Sequence, residues 1–246
     1  MPNRNETLQR SRECSNPALQ LYRYFDGRTQ DGIPQWSGLA RNLNKSLTGE
    51  KLKALHGAIR ARQDTLVAGL GVDWDAIQEP HVTQWRFAIG LSYGRLWEVG
   101  FQLHPINGLP YIPASAVKGA VRHCAVEEDS GKEHGAAIEL LFGTPEKEGR
   151  AIFFDAYAVP KADLMSEDII NQHNREYYNG TGAAADDTDP VPVKLLTVTP
   201  GTTFHFVAVW PKRHAAEGEL LRGWFHDCLG SYGFGAKTRK GYGLFL

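Results

Sequence analysis

The sequence predicts an α+β fold of the ferredoxin-like, or RRM-like, type, preceded by a helical extension. Residues 1–80 are polar and helical in their periodicity, whereas after His81 short runs of β-branched and aromatic residues are interrupted by two amphipathic segments. Strands and helices in that mixed order are typical of an α+β domain. We therefore expect a helical extension over residues 1–80 and a ferredoxin-like domain over 81–246, with one elaborated copy or two fused partial copies both open.

The extension contains two helix candidates. A short amphipathic segment covers residues 17–25, and Thr48-Gly49-Glu50 is typical of the start of a longer helix that runs to about residue 68. The apolar positions of this longer helix recur near the 3.6-residue helical period, at Leu52, Leu55, Ile59 and Leu66. Glycines and the Glu79-Pro80 pair then indicate the end of the region.

The second part of the chain alternates strand and helix candidates. Strands are predicted over residues 82–91, 97–103, 151–159, 194–198, 202–210 and 242–246. Helices are predicted over 115–126, with Ser115 as the N-cap, and over 214–229, with Leu220, Leu221, Trp224 and Phe225 facing inward. Loops are predicted over 105–113 and 160–190, and the Gly-, Ala- and Asp-rich run 179–190 is expected to be mobile.

Composition and charge exclude several classes of protein. The chain of 246 residues is 42% hydrophobic and 22% charged, with a formal net charge of −1. Any polyanion site must therefore come from local clustering of cations. Cys14, Cys124 and Cys228 form no C-x-x-C pair, which argues against a disulfide framework or a cysteine-rich zinc site. Without an apolar leader or a membrane-length apolar run, we expect a cytoplasmic protein with no cofactor, metal or membrane partner.

Residues 230–246 combine five glycines with three cations, Lys237, Arg239 and Lys240, and contain no acid. Glycine permits positive φ and close approach of a ligand, and exposed N–H groups beside cations suit phosphates. The segment is neither a P-loop nor a dinucleotide-binding motif, since the spacing is wrong and no helix follows. A glycine-rich turn before an edge strand is the alternative, although it leaves the three cations unexplained.

A second basic motif spans residues 111–122, where a proline-containing loop leads into a helix. The start of a helix offers free N–H groups and a positive dipole end. Lys118 and Arg122 lie four residues apart on one helix face, and Gly119 leaves room for a ligand or another backbone. The alternative, a capped amphipathic helix with two solvated cations, stays equally open.

Together, residues 110–122 and 233–243 resemble two motifs of the RAMP superfamily of CRISPR proteins. Residues 103–113, 154–157, 168–178 and 190–198 are similar, in the same order, to the sixth RAMP subunit of type III-B (Cmr) effector complexes. The resemblance covers about residues 85–246. One departure is Ala114, where the family usually has glycine before the serine, and an alanine makes a stiffer loop at that point.

The resemblance implies a ferredoxin-like RAMP fold and a non-catalytic RNA-binding role in antiviral defence. The implied partners are the guide (CRISPR) RNA near its 3′ end, target RNA, and the other RAMP and small-subunit proteins of the Cmr ribonucleoprotein. The predicted RNA-binding residues are Ser115, Lys118, Arg122, Gly233, Gly235, Lys237, Thr238, Arg239, Lys240 and Tyr242. Phosphate contacts would hold any guide sequence. Tyr232, Phe234 and Tyr242 could stack on bases, although Phe234 is expected in the core.

Two other functions stay open. A guide-processing RAMP endoribonuclease that needs no metal would use a histidine at the bound phosphate, and His104, His123 and His173 are the candidates. Asp155 and Asp168 are acids in the same region, but nothing in their spacing pairs them for a metal. A protein-only scaffold would show no RNA affinity even within its complex.

Overall fold

An antiparallel sheet organises the computed structural model, which describes residues 14–23, 36–92, 99–172, 180 and 191–246. The strands are β1 (Trp74–Val82), β2 (Tyr111–Ile112), β3 (Ile152–Phe153), β4 (Ala156–Ala158), β5 (Met165–Gln172), β6 (Val191–Val198) and β7 (Thr203–Pro211). The helices are α1 (Pro17–Tyr22), α2 (Trp36–Leu47), α3 (Glu50–Gly69), α4 (Ala114–Glu128), α5 (Gly135–Phe142) and α6 (Ala215–Asp227). The predicted α+β class is confirmed.

The strand β7 is the centre of the main sheet, whose order is β1-β7-β4-β2 with β3 also paired to β7. β1 pairs with β7 along its whole length, from Trp74 opposite Pro211 to Val82 opposite Thr203. The prediction of a strand over residues 82–91 is therefore wrong, because the strand lies earlier in the chain. Pro80 is tolerated inside β1 because an edge strand leaves one row of backbone N–H positions unpaired.

The other sequence predictions have mixed outcomes. Strands β6 and β7 confirm the segments 194–198 and 202–210, and β3 with β4 confirms 151–159 apart from a break at Phe154 and Asp155. The loop predicted over 160–190 is wrong at β5, whose polar sequence forms a hairpin with β6. The run predicted to be mobile, 179–190, lies outside the described residues apart from Gly180. Of the predicted strand 97–103, residues 97 and 98 also lie outside the described residues, and the rest forms one isolated bridge, Leu103 to Pro110.

The helices of residues 14–69 pack into the same apolar core as the sheet. Leu39, Leu43 and Leu47 of α2 are buried, and Asn44 exchanges two hydrogen bonds with the backbone of Met165 in β5, at 2.9 and 2.7 Å. Helix α3 occurs where it was predicted, but its orientation differs. Leu52 is buried, whereas Leu55 and Leu66 are exposed, and His56 and Gln63 occupy the inner face.

At the other end of the chain, α6 confirms the predicted helix, with Leu221, Trp224 and Phe225 buried. A π-helical turn follows over Cys228–Tyr232. The predicted final strand is reduced to an isolated bridge between Phe245 and Thr83, supported by backbone bonds that join Leu246 to Val82. This segment places the glycine-rich loop beside residues 86–88 and α4.

Candidate nucleic-acid interface

The glycines of the C-terminal loop are needed for close backbone packing within the protein. Gly235 has φ +85°, and a Cβ atom there would lie 2.4 Å from the carbonyl oxygen of Ala88. Gly243 has φ +70°, and its Cβ would lie 2.0 Å from the carbonyl oxygen of Phe234. The N–H groups of Gly233 and Gly243 donate to Cys228 and Arg86. These two N–H groups are therefore satisfied within the protein, whereas the predicted RNA contacts of Gly233 and Gly235 stay predictions.

The three cations of the loop lie together on a short 3₁₀ turn, Thr238–Lys240, that follows Lys237. Lys237, Arg239 and Lys240 are exposed, whereas Thr238 is half-buried. No carboxylate of the described residues lies within the 4.0 Å ion-pair distance of these three cations. Their charges are therefore available to an anionic ligand, as the sequence predicted from a loop without acids.

An open groove runs between the loop and helix α4, with a cavity volume of about 830 Å³. Its walls combine small side chains with a few polar groups. They are formed by residues 89–92, Gln102, the α4 residues Ala116, Gly119, Ala120, His123 and Glu127, and the loop residues Ser231, Tyr232, Gly233, Gly235, Ala236, Thr238 and Arg239. The two motifs singled out in the sequence thus meet at one site.

Helix α4 lines this groove with Gly119, where room for a ligand was predicted, but not with Ser115, Lys118 or Arg122. The groove-lining positions 116, 119, 120, 123 and 127 share one face, whereas Ser115, Lys118 and Arg122 share another. At about 100° per residue the two faces are centred roughly 120° apart. Arg122 and Ser115 are exposed and Lys118 is half-buried on this second face. The contribution of these three residues to RNA binding stays a prediction.

The start of α4 is already occupied by a carboxylate. The helix begins at Ala114 with Pro113 as its N-cap, so Ser115 lies inside the first turn and the predicted Ser115 cap is wrong. Oδ1 of Asp155 accepts the N–H of Ala114 at 2.7 Å, and the N–H groups of Ala116 and Val117 donate to the carbonyl oxygen of Pro113. Asp155 thus takes the place that the sequence prediction assigned to a phosphate.

Tyr242 belongs to the protein interior. It is 8% exposed and packs with Ala88 and Leu195. Its hydroxyl donates to Oδ2 of Asp168 at 2.6 Å, and burial together with this bond raises the pKa of Tyr242 to about 12. Nε of Arg86 lies 3.3 Å from the same oxygen, Oδ2 of Asp168. These contacts hold the Tyr242 ring mostly in the interior, and its contact with RNA stays a prediction.

The other two aromatic candidates differ in exposure. Phe234 is 1% exposed, which confirms its predicted place in the core. Tyr232 is half-buried and lines the groove, and its hydroxyl donates to Oε1 of Glu128 at 2.7 Å. Tyr232 is thus the candidate whose ring borders the space a nucleotide would fill.

The histidine candidates for catalysis have different surroundings. His123 lines the groove with 66% of its side chain exposed, and its Nδ1 lies 4.0 Å from Oε1 of Glu127. His104 is half-buried, and its Nδ1 accepts the N–H groups of Ile106 and Asn107 at 3.3 Å each. Burial lowers the pKa of His104. His173 lies outside the described residues.

Apart from Gly119, sequence reasoning missed the groove face of α4, and it missed the wall formed by residues 89–92 and Gln102. The sequence does contain a pattern that indicates the groove face of α4, because Ala116, Gly119 and Ala120 place small residues on one side of the helix. No local pattern indicates the wall formed by residues 89–92 and Gln102, because its position depends on how residues 86–92 pack beside the loop.

The structure defines an α+β domain with an antiparallel sheet and a basic glycine-rich loop that borders an open groove. A comparison with protein families shows to which family this domain belongs. The chain belongs to the RAMP superfamily, whose family model matches residues 95–245. A type III-B Cmr-beta complex bound to cognate target RNA, solved by cryo-EM, contains a chain that is similar to this one. The TM-score is 0.58 at 27% identity, covering 84% of this chain and 70% of that one. The predicted RAMP fold of ferredoxin-like type is thereby confirmed.

Curated relatives indicate which member of the superfamily this chain is similar to. CRISPR system CMR subunit Cmr6 of Saccharolobus solfataricus is 32% identical over 209 residues, covering 82% of this chain and 66% of the relative. Cmr6 of Pyrococcus furiosus is 28% identical over 232 residues, covering 68% and 67%. The predicted resemblance to the sixth RAMP subunit is confirmed, and the chain spans about two thirds of both relatives. None of the helices described is long and apolar enough to cross a membrane.

Proposed function

We propose that this chain is a non-catalytic, RNA-binding subunit of a type III-B CRISPR (Cmr) ribonucleoprotein, where it holds the 3′ part of the guide RNA. One observation carries the proposal: an open groove lies between α4 and a loop whose cations have no carboxylate partner among the described residues. The groove walls offer small side chains and Arg239, and Lys237 and Lys240 lie on the same loop. Small side chains and cations suit a sugar-phosphate backbone better than a particular base. Its relatives are named as subunits of the Cmr system.

The guide RNA, target RNA and the neighbouring RAMP and small-subunit proteins are the proposed partners, in the cytoplasm. A formal net charge of −1 gives the isolated chain little general attraction for RNA. Local contacts must therefore supply the affinity, with adjacent subunits completing the path of the strand. The assembled particle is accordingly the right material for the test.

The test removes Lys237 and Arg239 together, as Lys237→Ala with Arg239→Ala, in the reconstituted complex. Each lost contact to a single-stranded phosphate lowers the slope of log K against log salt by about 0.7, so the double variant should lose about 1.4. A matched control removes two exposed cations of α3, Lys51→Ala with Arg62→Ala, which leaves the net charge change identical. Equal slopes for the wild type and the loop variant would contradict the proposal.

The same assay addresses the second face of α4. If the guide follows only the groove, Lys118→Ala with Arg122→Ala leaves the slope unchanged, and Ser115, Lys118 and Arg122 drop out of the proposed site. A loss similar to that of the loop variant would extend the RNA path across this face, as the sequence resemblance implies.

The alternative function is a guide-processing endoribonuclease, and the position of His123 in the groove is the observation that favours it. An exposed imidazole beside a bound phosphate could act as general acid or base. Incubation of the protein with repeat RNA in EDTA separates the two functions. Intact RNA supports the binding subunit, whereas discrete cleavage that is lost in His123→Ala and kept in His104→Ala supports the enzyme.

A further inference from the structure

A cluster of two histidines and a glutamate lies outside the groove, between the edge strand β1 and helix α6. Glu79 and His81 are two residues apart in β1 and so share one face of the sheet, and His226 lies in the last turn of α6. Oε2 of Glu79 is 3.1 Å from Nε2 of His81 and 2.9 Å from Nε2 of His226. The three donor atoms all lie within 4.8 Å of one another.

The hydrogen bonding of His81 places its Nε2 against the Glu79 carboxylate, at 3.1 Å from Oε2. The main-chain oxygen of Leu246 only accepts hydrogen bonds, so Nδ1 of His81, at 3.1 Å, carries a hydrogen. In a neutral imidazole the opposite nitrogen, Nε2, then holds a lone pair, and this lone pair faces the Glu79 carboxylate. Two lone pairs at that distance repel each other unless a proton or a metal ion lies between them.

The spacing of the donor atoms suits a transition metal. Zinc bonds to histidine nitrogen and carboxylate oxygen at about 2.0–2.1 Å, and a tetrahedral arrangement therefore places neighbouring ligand atoms about 3.3 Å apart. The separations from Glu79 Oε2 to the two imidazole nitrogens, 3.1 and 2.9 Å, come close to this, and the separation between the two imidazole nitrogens is within 4.8 Å. Two imidazoles with one carboxylate form a donor set typical of zinc sites that keep one position open.

The outer partners of the cluster are those that a metal site requires. The main-chain oxygen of Leu246 fixes the tautomer of His81, as an outer hydrogen bond usually does for a ligating histidine. Nη1 of Arg222 lies 3.5 Å from Oε1 of Glu79, so that Oε2 contacts only the two histidines of the cluster. Arg222 is anchored in turn on the carbonyl oxygen of Ala76, at 3.4 Å. Both oxygens of the carboxylate therefore have assigned roles.

We propose that Glu79, His81 and His226 bind a Zn²⁺ ion through Oε2 and the two Nε2 atoms, with water in the fourth position. The ion joins the edge strand β1 to the end of α6 and, through His81, to the backbone of Leu246. Sequence spacing could not indicate this site, because His226 lies far from Glu79 and His81 in the chain. The site does not depend on the proposed RNA-binding function.

Metal titration of the full chain, produced without a histidine tag and stripped with EDTA, tests the proposal. Zn²⁺ affinity is measured by competition with a chromogenic chelator, and Co²⁺ reports the geometry through its visible absorption. We expect one Zn²⁺ per chain, a tetrahedral Co²⁺ spectrum and a higher melting temperature with metal. His226→Ala, at a side chain that is 47% exposed, and Glu79→Gln should each weaken Zn²⁺ binding by roughly 100-fold or more.

Two further variants make the result specific. Arg222→Gln keeps all three ligands and should weaken Zn²⁺ binding by about tenfold, since it removes an outer partner of the carboxylate. His123→Ala removes an exposed histidine from the groove and should leave the affinity unchanged. Equal Zn²⁺ affinity in the wild type and His226→Ala, or no tetrahedral Co²⁺ signal, would overturn the proposal and leave the cluster as a proton-linked network.

Discussion

Replacement of Gly243 by alanine tests whether the C-terminal loop owes its shape to close backbone packing. A Cβ atom at this position would lie 2.0 Å from the carbonyl oxygen of Phe234, with φ at +70°. Gly241 offers a matched control in the same loop. Its φ of +85° imposes a similar backbone strain, but among the residues that the structure describes nothing lies within 4 Å of its Cβ position. The two variants therefore separate the cost of positive φ from the cost of the collision.

The expected loss in the free energy of unfolding follows from the backbone strain and from the hydrogen bonds that must break. A left-handed backbone costs a residue with a Cβ about 1–2 kcal/mol. Relief of the collision at Gly243 must also displace two backbone hydrogen bonds, from Phe234 to Gly243 at 2.9 Å and from Gly243 to Arg86 at 3.0 Å. At about 1 kcal/mol for each bond, Gly243→Ala should lose about 3–4 kcal/mol in the free energy of unfolding, and Gly241→Ala about 1–2.

Urea unfolding followed by the fluorescence of the buried Trp210 and Trp224 measures both values, provided that the m-value stays constant. Because the collision affects the loop that borders the groove, Gly243→Ala should also weaken RNA retention in the assembled particle. A loss of stability in Gly243→Ala no larger than that in Gly241→Ala would refute the packing argument.

Two other predictions concern buried polar groups. Burial, with the nearby His205 and Arg60, lowers the pKa of His56 from 6.5 to about 4, and its Nε2 finds no hydrogen-bond partner among the described residues. Between pH 6.5 and about 4, His56 is therefore protonated in the unfolded chain but neutral in the folded chain. The free energy of unfolding should fall as the pH drops through this range. In urea titrations at several pH values, His56→Leu should make the free energy of unfolding less dependent on pH. Tyr242→Phe should lose about 1.5–2 kcal/mol of stability, because it removes the bond to the Asp168 carboxylate, while the RNA affinity of the assembled particle stays unchanged. A weaker RNA affinity in a fully folded Tyr242→Phe variant would place the Tyr242 hydroxyl at the RNA.

Patterns of neighbouring residues were sufficient for much of the fold. The helical periodicity before residue 70, the apolar strands β6 and β7 and the amphipathic helix α6 are all local features, and each occurs close to its predicted place. Strand β5 was missed because its polar sequence becomes a strand through pairing with β6. Strand β1 was misplaced because Pro80 disfavours a central strand but is compatible with an edge, and edges are set by the whole sheet.

The sequence by itself determined the family, the α+β class and the presence of a loop rich in glycines and cations. Only the tertiary structure decided how those residues divide their roles. Asp155, in the break between β3 and β4, accepts the free N–H at the start of α4, and Asp168 accepts the hydroxyl of the buried Tyr242. Likewise, the packing of α4 turns Gly119 toward the groove and Lys118 away from it. The physical reason is that hydrogen-bond partners and burial are set by residues distant in the chain, which no local spacing reveals.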